Sequence, residues 1–317
     1  MKTILVTGGA GFLGSNLCTK LVENKNNKVI CVDNLSTGNI SNLENLLKLD
    51  NFIFIKEDIE NKNLSDKFNF KIDEIYNAAC PASPIHYQEN PIKTTTTCVL
   101  GILNLIELAR KNNSKLLQFS TSEVYGEPEI SPQPEEYRGC VNTIGIRSCY
   151  DEGKRCAESL CFDARRMYHL DIKVVRIFNT YGPYMDKNDG RVVSNFICQA
   201  LKNEDITMYG TGLQTRSFCY VSDLINGLIK MMESDLSGPV NLGNPGEFTM
   251  LELAELVLLK TGSTSTIKYL PLPSDDPTQR KPDISKARNL LSWEPKIKLS
   301  KGLDRTIEYF RNLINKN

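Results

Sequence analysis

The sequence predicts an α/β chain: a doubly wound parallel sheet with a smaller, loop-rich C-terminal domain. Three observations carry this. Short apolar, β-rich runs alternate with helix-spaced segments through the first half of the 317 residues. Those runs are near-continuously apolar, as in strands covered on both faces. Beyond Asn179 prolines recur from Pro183 to Pro295 and the alternation breaks.

Taken in order, residues 4–6, 29–32, 52–55, 75–76, 116–119 and 174–178 read as buried strands, and 100–111 has helical spacing. The stretch around 218–223, with a helix through Met232, is expected to return to the first domain. This places residues 1–178 and about 217–240 in one domain, and about 179–216 and 241–317 in the other.

Charge and cysteine usage narrow the class. Lys+Arg and Asp+Glu both number 38, and no block of like charge stands out, which argues against nucleic acid or an anionic membrane as partner. Ten cysteines include no C-x-x-C, and only His86 and His169 could join them, so no metal site is expected. Cys18, Cys31 and Cys98 lie in apolar or small-residue surroundings and read as reduced filler. The apolar start is too short for a signal-peptide core, and no later segment is expected to reach a membrane span. The expectation is a soluble, cytoplasmic protein.

The first strand runs into Gly8, Gly9, Gly11 and Gly14, a G-x-G-x-x-G pattern between strand and helix. Glycines there permit a tight turn and let backbone approach a pyrophosphate at the positive helix end. Asp33 closes the second strand, roughly 20 residues on, where an acidic side chain binds ribose hydroxyls and repels a 2′-phosphate. The pattern is Rossmann-like and favours NAD over NADP. Asp58 and Ile59, after the third strand, are a candidate adenine contact.

Tyr150 and Lys154 are four apart, hence on one face of a helix. A phenol titrates near 10, and a nearby ammonium can lower an acid by about one to three units. Tyr150 could then accept the proton of an alcohol while hydride leaves for the nicotinamide. Such a pair alone is common on ordinary amphipathic helices; the glycine loop upstream gives it meaning.

At these residues the chain resembles the extended short-chain dehydrogenase/reductases of the nucleotide-sugar epimerase and dehydratase group, over essentially its whole length. The blocks are residues 120–126, 149–155, 188–196 and 275–283, with 81–84 and 90–94 in support. The resemblance implies NAD, a UDP-sugar substrate and a homodimer through the helix bearing Tyr150 and the one before it. It further implies decarboxylation of UDP-glucuronate to UDP-xylose: C4 oxidation, loss of CO2 from the 4-keto intermediate, and hydride return. For the cofactor it implies Gly8, Gly11, Phe12, Leu13, Gly14, Asp33, Asn34, Thr37, Asp58, Ile59, Ala78, Cys80, Thr97, Tyr150, Lys154 and Arg191. For the substrate it implies Ala82, Tyr87, Thr121, Arg147, Asn179, Asn195, Tyr209, Gln214, Arg216 and Arg280. Thr121 would bond the C4 oxygen, and Glu123 would carry a proton or orient groups at the sugar. Arg147 would meet the substrate carboxylate, Arg216 would clamp the diphosphate, and Arg280 would steady the enolate. Cys80 departs from the serine expected near the nicotinamide.

Ser122 separates two outcomes. A C4 ketone beside a C5 carboxylate is a β-keto acid, ready to lose CO2. With CH2OH at C5 the same ketone permits loss of water, for which dehydratases of this group typically place Asp where this chain has Ser122. A carboxylate about 4 Å from the substrate carboxylate costs on the order of 4 kcal/mol at an effective dielectric of 20, about a thousandfold in binding. The rival readings are a nucleotide-sugar 4,6-dehydratase or 4-epimerase, and a silent NAD-binding sensor.

Overall fold

Each of the six apolar runs becomes a strand of one sheet. The computed structural model describes residues 1–272 and 279–315, so residues 275–278 of the fourth sequence block lie outside the described residues. In chain order the first half comprises β1 Lys2–Thr7, α1 Phe12–Val22, β2 Asn27–Asp33, β3 Phe52–Lys56, β4 Glu74–Asn77, α2 Pro84–Glu89, α3 Pro91–Thr96, α4 Ile102–Asn112, β5 Lys115–Thr121, α5 Ser148–Tyr168 and β6 Ile172–Ile177. There follow β7 Thr180–Tyr181, α6 Val192–Leu201, β8 Ile206–Tyr209, β9 Thr215–Ser217, β10 Cys219–Tyr220, α7 Val221–Glu233, β11 Val240–Leu242, β12 Glu247–Thr249, α8 Met250–Thr261, β13 Ile267–Leu270, β14 Gln279–Arg280, α9 Ser285–Leu291 and α10 Leu299–Asn315.

The large sheet is parallel throughout, in the order β11-β6-β5-β4-β1-β2-β3. Strand order reverses between β1 and β4, the switch point where ligands enter a doubly wound sheet. Side chains alternate between two buried layers. Ile4 and Val6 pack with Leu17 and Leu21 of α1 and Leu224 and Leu228 of α7; Leu5 joins Leu105 of α4 and Cys161 of α5. Each fully buried leucine contributes roughly 1.5–3 kcal/mol.

Two expectations need correction. Residues 97–101 form a single π-turn, and α4 starts only at Ile102. Gly101 lies so close to Ile59 that a Cβ would stand 2.2 Å from its Cδ1. The second concerns membrane spans. Pro91–Asn112 is one helical run of 22 residues, apolar and long enough to cross a membrane by length and composition. Half of it is buried, packed against α5 and the sheet.

The remaining strands make small sheets: β13 with β8, β10 with β7, and β12-β9-β14. In the last, Arg280 is the parallel partner of Arg216. A capping box between Thr249 and Glu252 starts α8. The stripe Leu299, Leu303, Ile307 and Phe310 buries α10 against α6 and α8.

Candidate active site

The site begins where β1 meets α1. Gly8 has φ +68°, and a Cβ there would fall 2.7 Å from the Ala78 carbonyl. A Cβ on Gly14 would fall 2.1 Å from the Gly8 oxygen. Glycine is therefore required at both positions, and α1 opens at Phe12, its first residues lining the cavity. Asp33 receives the Ala10 amide at 2.9 Å and the Leu35 amide at 2.8 Å, one on each oxygen, with lone pairs to spare. Burial pushes its carboxyl up, against those amides.

Beyond it, Asp58 accepts from Asn34 at 2.9 Å and Lys93 at 2.8 Å. Burial would raise Asp58, but these bonds and the Glu60 amide outweigh it and hold the carboxyl below its usual range. Lys93 also meets Glu60 at 2.7 Å, and Glu60 takes the Thr97 hydroxyl at 2.5 Å.

Tyr150 and Lys154 lie on one buried face of α5. Lys154 Nζ donates to the Phe119 carbonyl at 2.9 Å and stands 5.7 Å from the Tyr150 ring centroid. Tyr150 lies flat on Tyr87, centroids 5.0 Å apart and planes within 7°. Burial first, then Cys80, pushes the Tyr150 phenol well above its ordinary value, and the pull the other way comes from Thr121. This corrects the expectation that Lys154 brings the phenol down: burial outweighs the ammonium.

Thr121 ends β5, and Ser122 and Glu123 begin the 3₁₀ turn that follows. Glu123 sits between two guanidiniums. Arg147, the residue preceding α5, bonds it through Nη2, and Arg280 approaches at 3.3 Å while also donating to the Gly126 carbonyl at 2.5 Å. Burial alone would raise Glu123; Arg280 and then Arg147 outweigh it and bring the carboxyl down to about 2. A carboxyl so held does not deliver protons near neutrality, which leaves Glu123 the orienting half of the expectation. Ser122 is enclosed and donates to Glu123 at 3.3 Å. Arg191 is paired, Nε to Asp189 at 2.7 Å, and covers the Phe12 ring. Gln214 Nε2 donates to the Tyr209 carbonyl at 2.6 Å, Asn195 Nδ2 to Gly190 at 3.1 Å, and Arg216 Nη1 to Thr215 at 2.9 Å.

All the residues singled out from the sequence as candidate contacts, including Thr37, Ala82 and Asn179, line one cavity of about 1240 Å³ at the carboxyl ends of the strands. Several residues in and beneath it carry no role in the sequence reading. Ser120 donates to Glu158 at 2.6 Å, and Arg176 grips Glu158 at 2.9 and 2.8 Å, fixing the strand end that presents Thr121. The spacing of Glu158, four residues beyond Lys154, was the available signal. Asp151, buried next to Tyr150, has an Oδ1 without a partner. Burial and then Glu123 push it up to about 7.

The glycine cradle, Asp33, and the Tyr150–Lys154 pair in one cavity define a nicotinamide-dependent short-chain dehydrogenase/reductase. The chain belongs to the NAD dependent epimerase/dehydratase family, whose model matches residues 4–243. It is 53% identical over 312 residues to UDP-glucuronic acid decarboxylase 3 of Arabidopsis thaliana, covering 98% of this chain and 90% of that one. UDP-glucose 4-epimerase of Thermotoga maritima, solved with UDP-glucose, superposes with a TM-score of 0.91 at 32% identity, covering 98% and 99% of the two chains. UDP-glucuronic acid 4-epimerase of Bacillus cereus, solved with UDP-glucuronic acid and NAD, gives 0.89 at 29% identity, again over 98% and 99%.

Proposed function

We propose that the protein decarboxylates UDP-glucuronate to UDP-xylose, using NAD that is regenerated in each turnover. The observation that carries the reading is the Arg147–Glu123–Arg280 unit beside Ser122: two guanidiniums share one ionised carboxylate, so the unit keeps a net positive charge. A uronate carboxylate, and the enolate left after CO2 departs, are stabilised by that charge. Loss of water, in contrast, needs an acid for the leaving hydroxyl. Ser122 offers none, and Glu123 at about 2 is ionised.

The residues present fit NAD. The cradle at Gly8 and Gly14, which a Cβ would fill, suits a pyrophosphate, Asp33 keeps lone pairs for ribose hydroxyls, and Lys154 stands ready for the second ribose. When bound, NAD supplies the hydride acceptor for the sugar C4 and returns the hydride at the end. Tyr150 takes the C4 hydroxyl proton; against burial, the Lys154 ammonium 5.7 Å from its ring, the Thr121 hydroxyl and the positive charge that bound nicotinamide would add favour the phenolate. Ser122 adds no charge near C5. Arg280, enclosed and bonded to Gly126, steadies the enolate oxygen rather than giving up a proton, since a guanidinium stays charged above pH 12. Arg216, cross-strand neighbour of Arg280, is placed to hold the diphosphate.

The likeness to the B. cereus uronate epimerase supports a second reading, C4 epimerisation with the carboxylate retained. Purified protein given UDP-glucuronate, or UDP-glucose in parallel, separates the readings. CO2 from the uronate and no product from the glucoside is the expected result; turnover of UDP-glucose without CO2 overturns it. Partly exposed Leu100 and Leu103 on the helical run preceding α5, with exposed Met167 on α5, support a homodimer through these helices. Ten free thiols support a cytoplasmic setting.

A further inference from the structure

Two thiols face each other in the cavity wall. Cys80, in the turn after β4, and Cys98, in the π-turn before α4, have sulfurs 3.2 Å apart, close enough for one to hydrogen-bond the other. Cys98 is 4% exposed; Cys80 is partly exposed and lines the cavity, so a small solute reaches the pair from that side. Cys98 backs directly onto α5: a Cβ on Gly153 would meet its Cβ at 3.1 Å and its Sγ at 3.2 Å. The pair therefore touches the helix carrying Tyr150 and Lys154. Between the two sulfurs the proton rests on Cys80, whose thiol is pushed up: the hydrogen bond from Cys80 and the Lys154 ammonium lower Cys98, while burial and Glu60 oppose them. Among the described residues no three His, Cys, Asp or Glu are grouped to hold a metal, so the pair is a dithiol rather than part of a metal site.

We propose that Cys80 and Cys98 form an oxidisable dithiol, a modification site for a small hydroperoxide, whose conversion to a disulfide shuts down the adjacent oxidation centre. The thiolate attacks the peroxide: an S–O bond forms, the O–O bond breaks and hydroxide leaves. The second sulfur then attacks the sulfenic acid, an S–S bond forms, and the hydroxyl departs as water with the remaining thiol proton. In sum two thiols lose two electrons and hydrogen peroxide becomes two waters. The sulfurs must close from 3.2 Å to about 2.05 Å. That draws the turn after β4 towards α5 by about 1 Å, a misplacement that can cost about a hundredfold in rate.

The linkage is independent of the assigned reaction; only the loss of turnover rests on it. Holoenzyme is treated with hydrogen peroxide, remaining thiols are alkylated, and the digest is read by mass spectrometry without reduction, alongside CO2 release. Expected are a peptide carrying Cys80 joined to Cys98, two hydrogens lighter, and a fall in turnover of at least about tenfold, reversed by dithiothreitol. Cys98→Ser, or Cys98→Ala should the serine variant fold poorly, gives no such peptide and keeps its own untreated activity. A Cys140→Ser/Cys156→Ser variant, lacking the two exposed thiols, responds like wild type. Absence of the linked peptide, linkage without loss of turnover, or a Cys98 variant inactivated as fast as wild type overturns the proposal. If untreated protein releases no CO2, the reaction reading fails, while the linked peptide still decides the site.

Discussion

Arg280 reaches Glu123 from 157 positions away in sequence, with Nε and Nη2 each 3.3 Å from its carboxylate. The contact ties the end of β5 to the small sheet of the C-terminal region. Arg147 closes the other side, so Glu123 keeps two enclosed cations from facing each other unscreened.

Replacing Glu123 by Gln removes that shared counter-ion. Breaking a buried pair costs about 3–5 kcal/mol, so the melting temperature should drop by several degrees and decarboxylation should be lost. The pH signature has a definite sign. Glu123 is lowered from its ordinary range to about 2, so its contribution is present above about pH 5 and lost as pH falls towards 2. Thermal scans across acid pH should show wild type losing stability there and Glu123→Gln losing less. Matching curves would contradict the arginine-pair account.

Tyr150→Phe keeps the stack on Tyr87 and removes only the hydroxyl. Turnover should fall by about 10²–10⁴, while nucleotide-sugar affinity, measured by calorimetry, stays within a few-fold. A variant that decarboxylates at the wild-type rate would show that Tyr150 is not the base.

Ser122→Asp puts a second carboxylate beside Glu123, where Ser122 Oγ is 3.3 Å from Oε1. Repulsion should weaken UDP-glucuronate binding by up to about a thousandfold. Part of this is relieved at low pH, because the new carboxyl, next to ionised Glu123, holds its proton more tightly. Titration of affinity against pH checks both effects, and an Asp variant binding like wild type at pH 8 would refute the role given to Ser122.

Asp151→Asn tests the buried acid raised to about 7. A carboxyl whose folded value lies above its unfolded one stabilises the fold while protonated. Stability from this group is present below about pH 4 and declines as pH rises towards 7, by at most about 4 kcal/mol. Asn should flatten that decline and leave the variant more stable than wild type at pH 8. Denaturant midpoints at pH 5 and pH 8 provide the comparison.

The parallel sheet was legible because a strand buried on both faces is nearly all apolar, as at residues 29–32 and, apart from the hydrogen-bonded Gln118, at 116–119. The glycine loop was legible because no other residue fits at Gly8 or Gly14. The meeting of Glu123 with Arg280 was not, since it depends on how β14 docks beside β9, and strands of two and three residues leave no periodic trace. Nor was the depth at which Tyr150 is buried, which raises its phenol in spite of the neighbouring Lys154. The π-turn at 97–101 was not legible, since helical spacing from residue 100 onward does not distinguish an i+4 from an i+5 turn; Gly101 sits there against Ile59, where a Cβ would not fit.

The central claim is that the cavity removes the carboxylate of a UDP-uronate and protonates C5. UDP-glucuronate labelled with ¹³C at the carboxyl, incubated with the protein and NAD in D2O and followed by NMR, tests it directly. The account predicts labelled CO2 in step with UDP-xylose carrying one deuterium at C5. Label retained in a UDP-sugar inverted at C4 would contradict it.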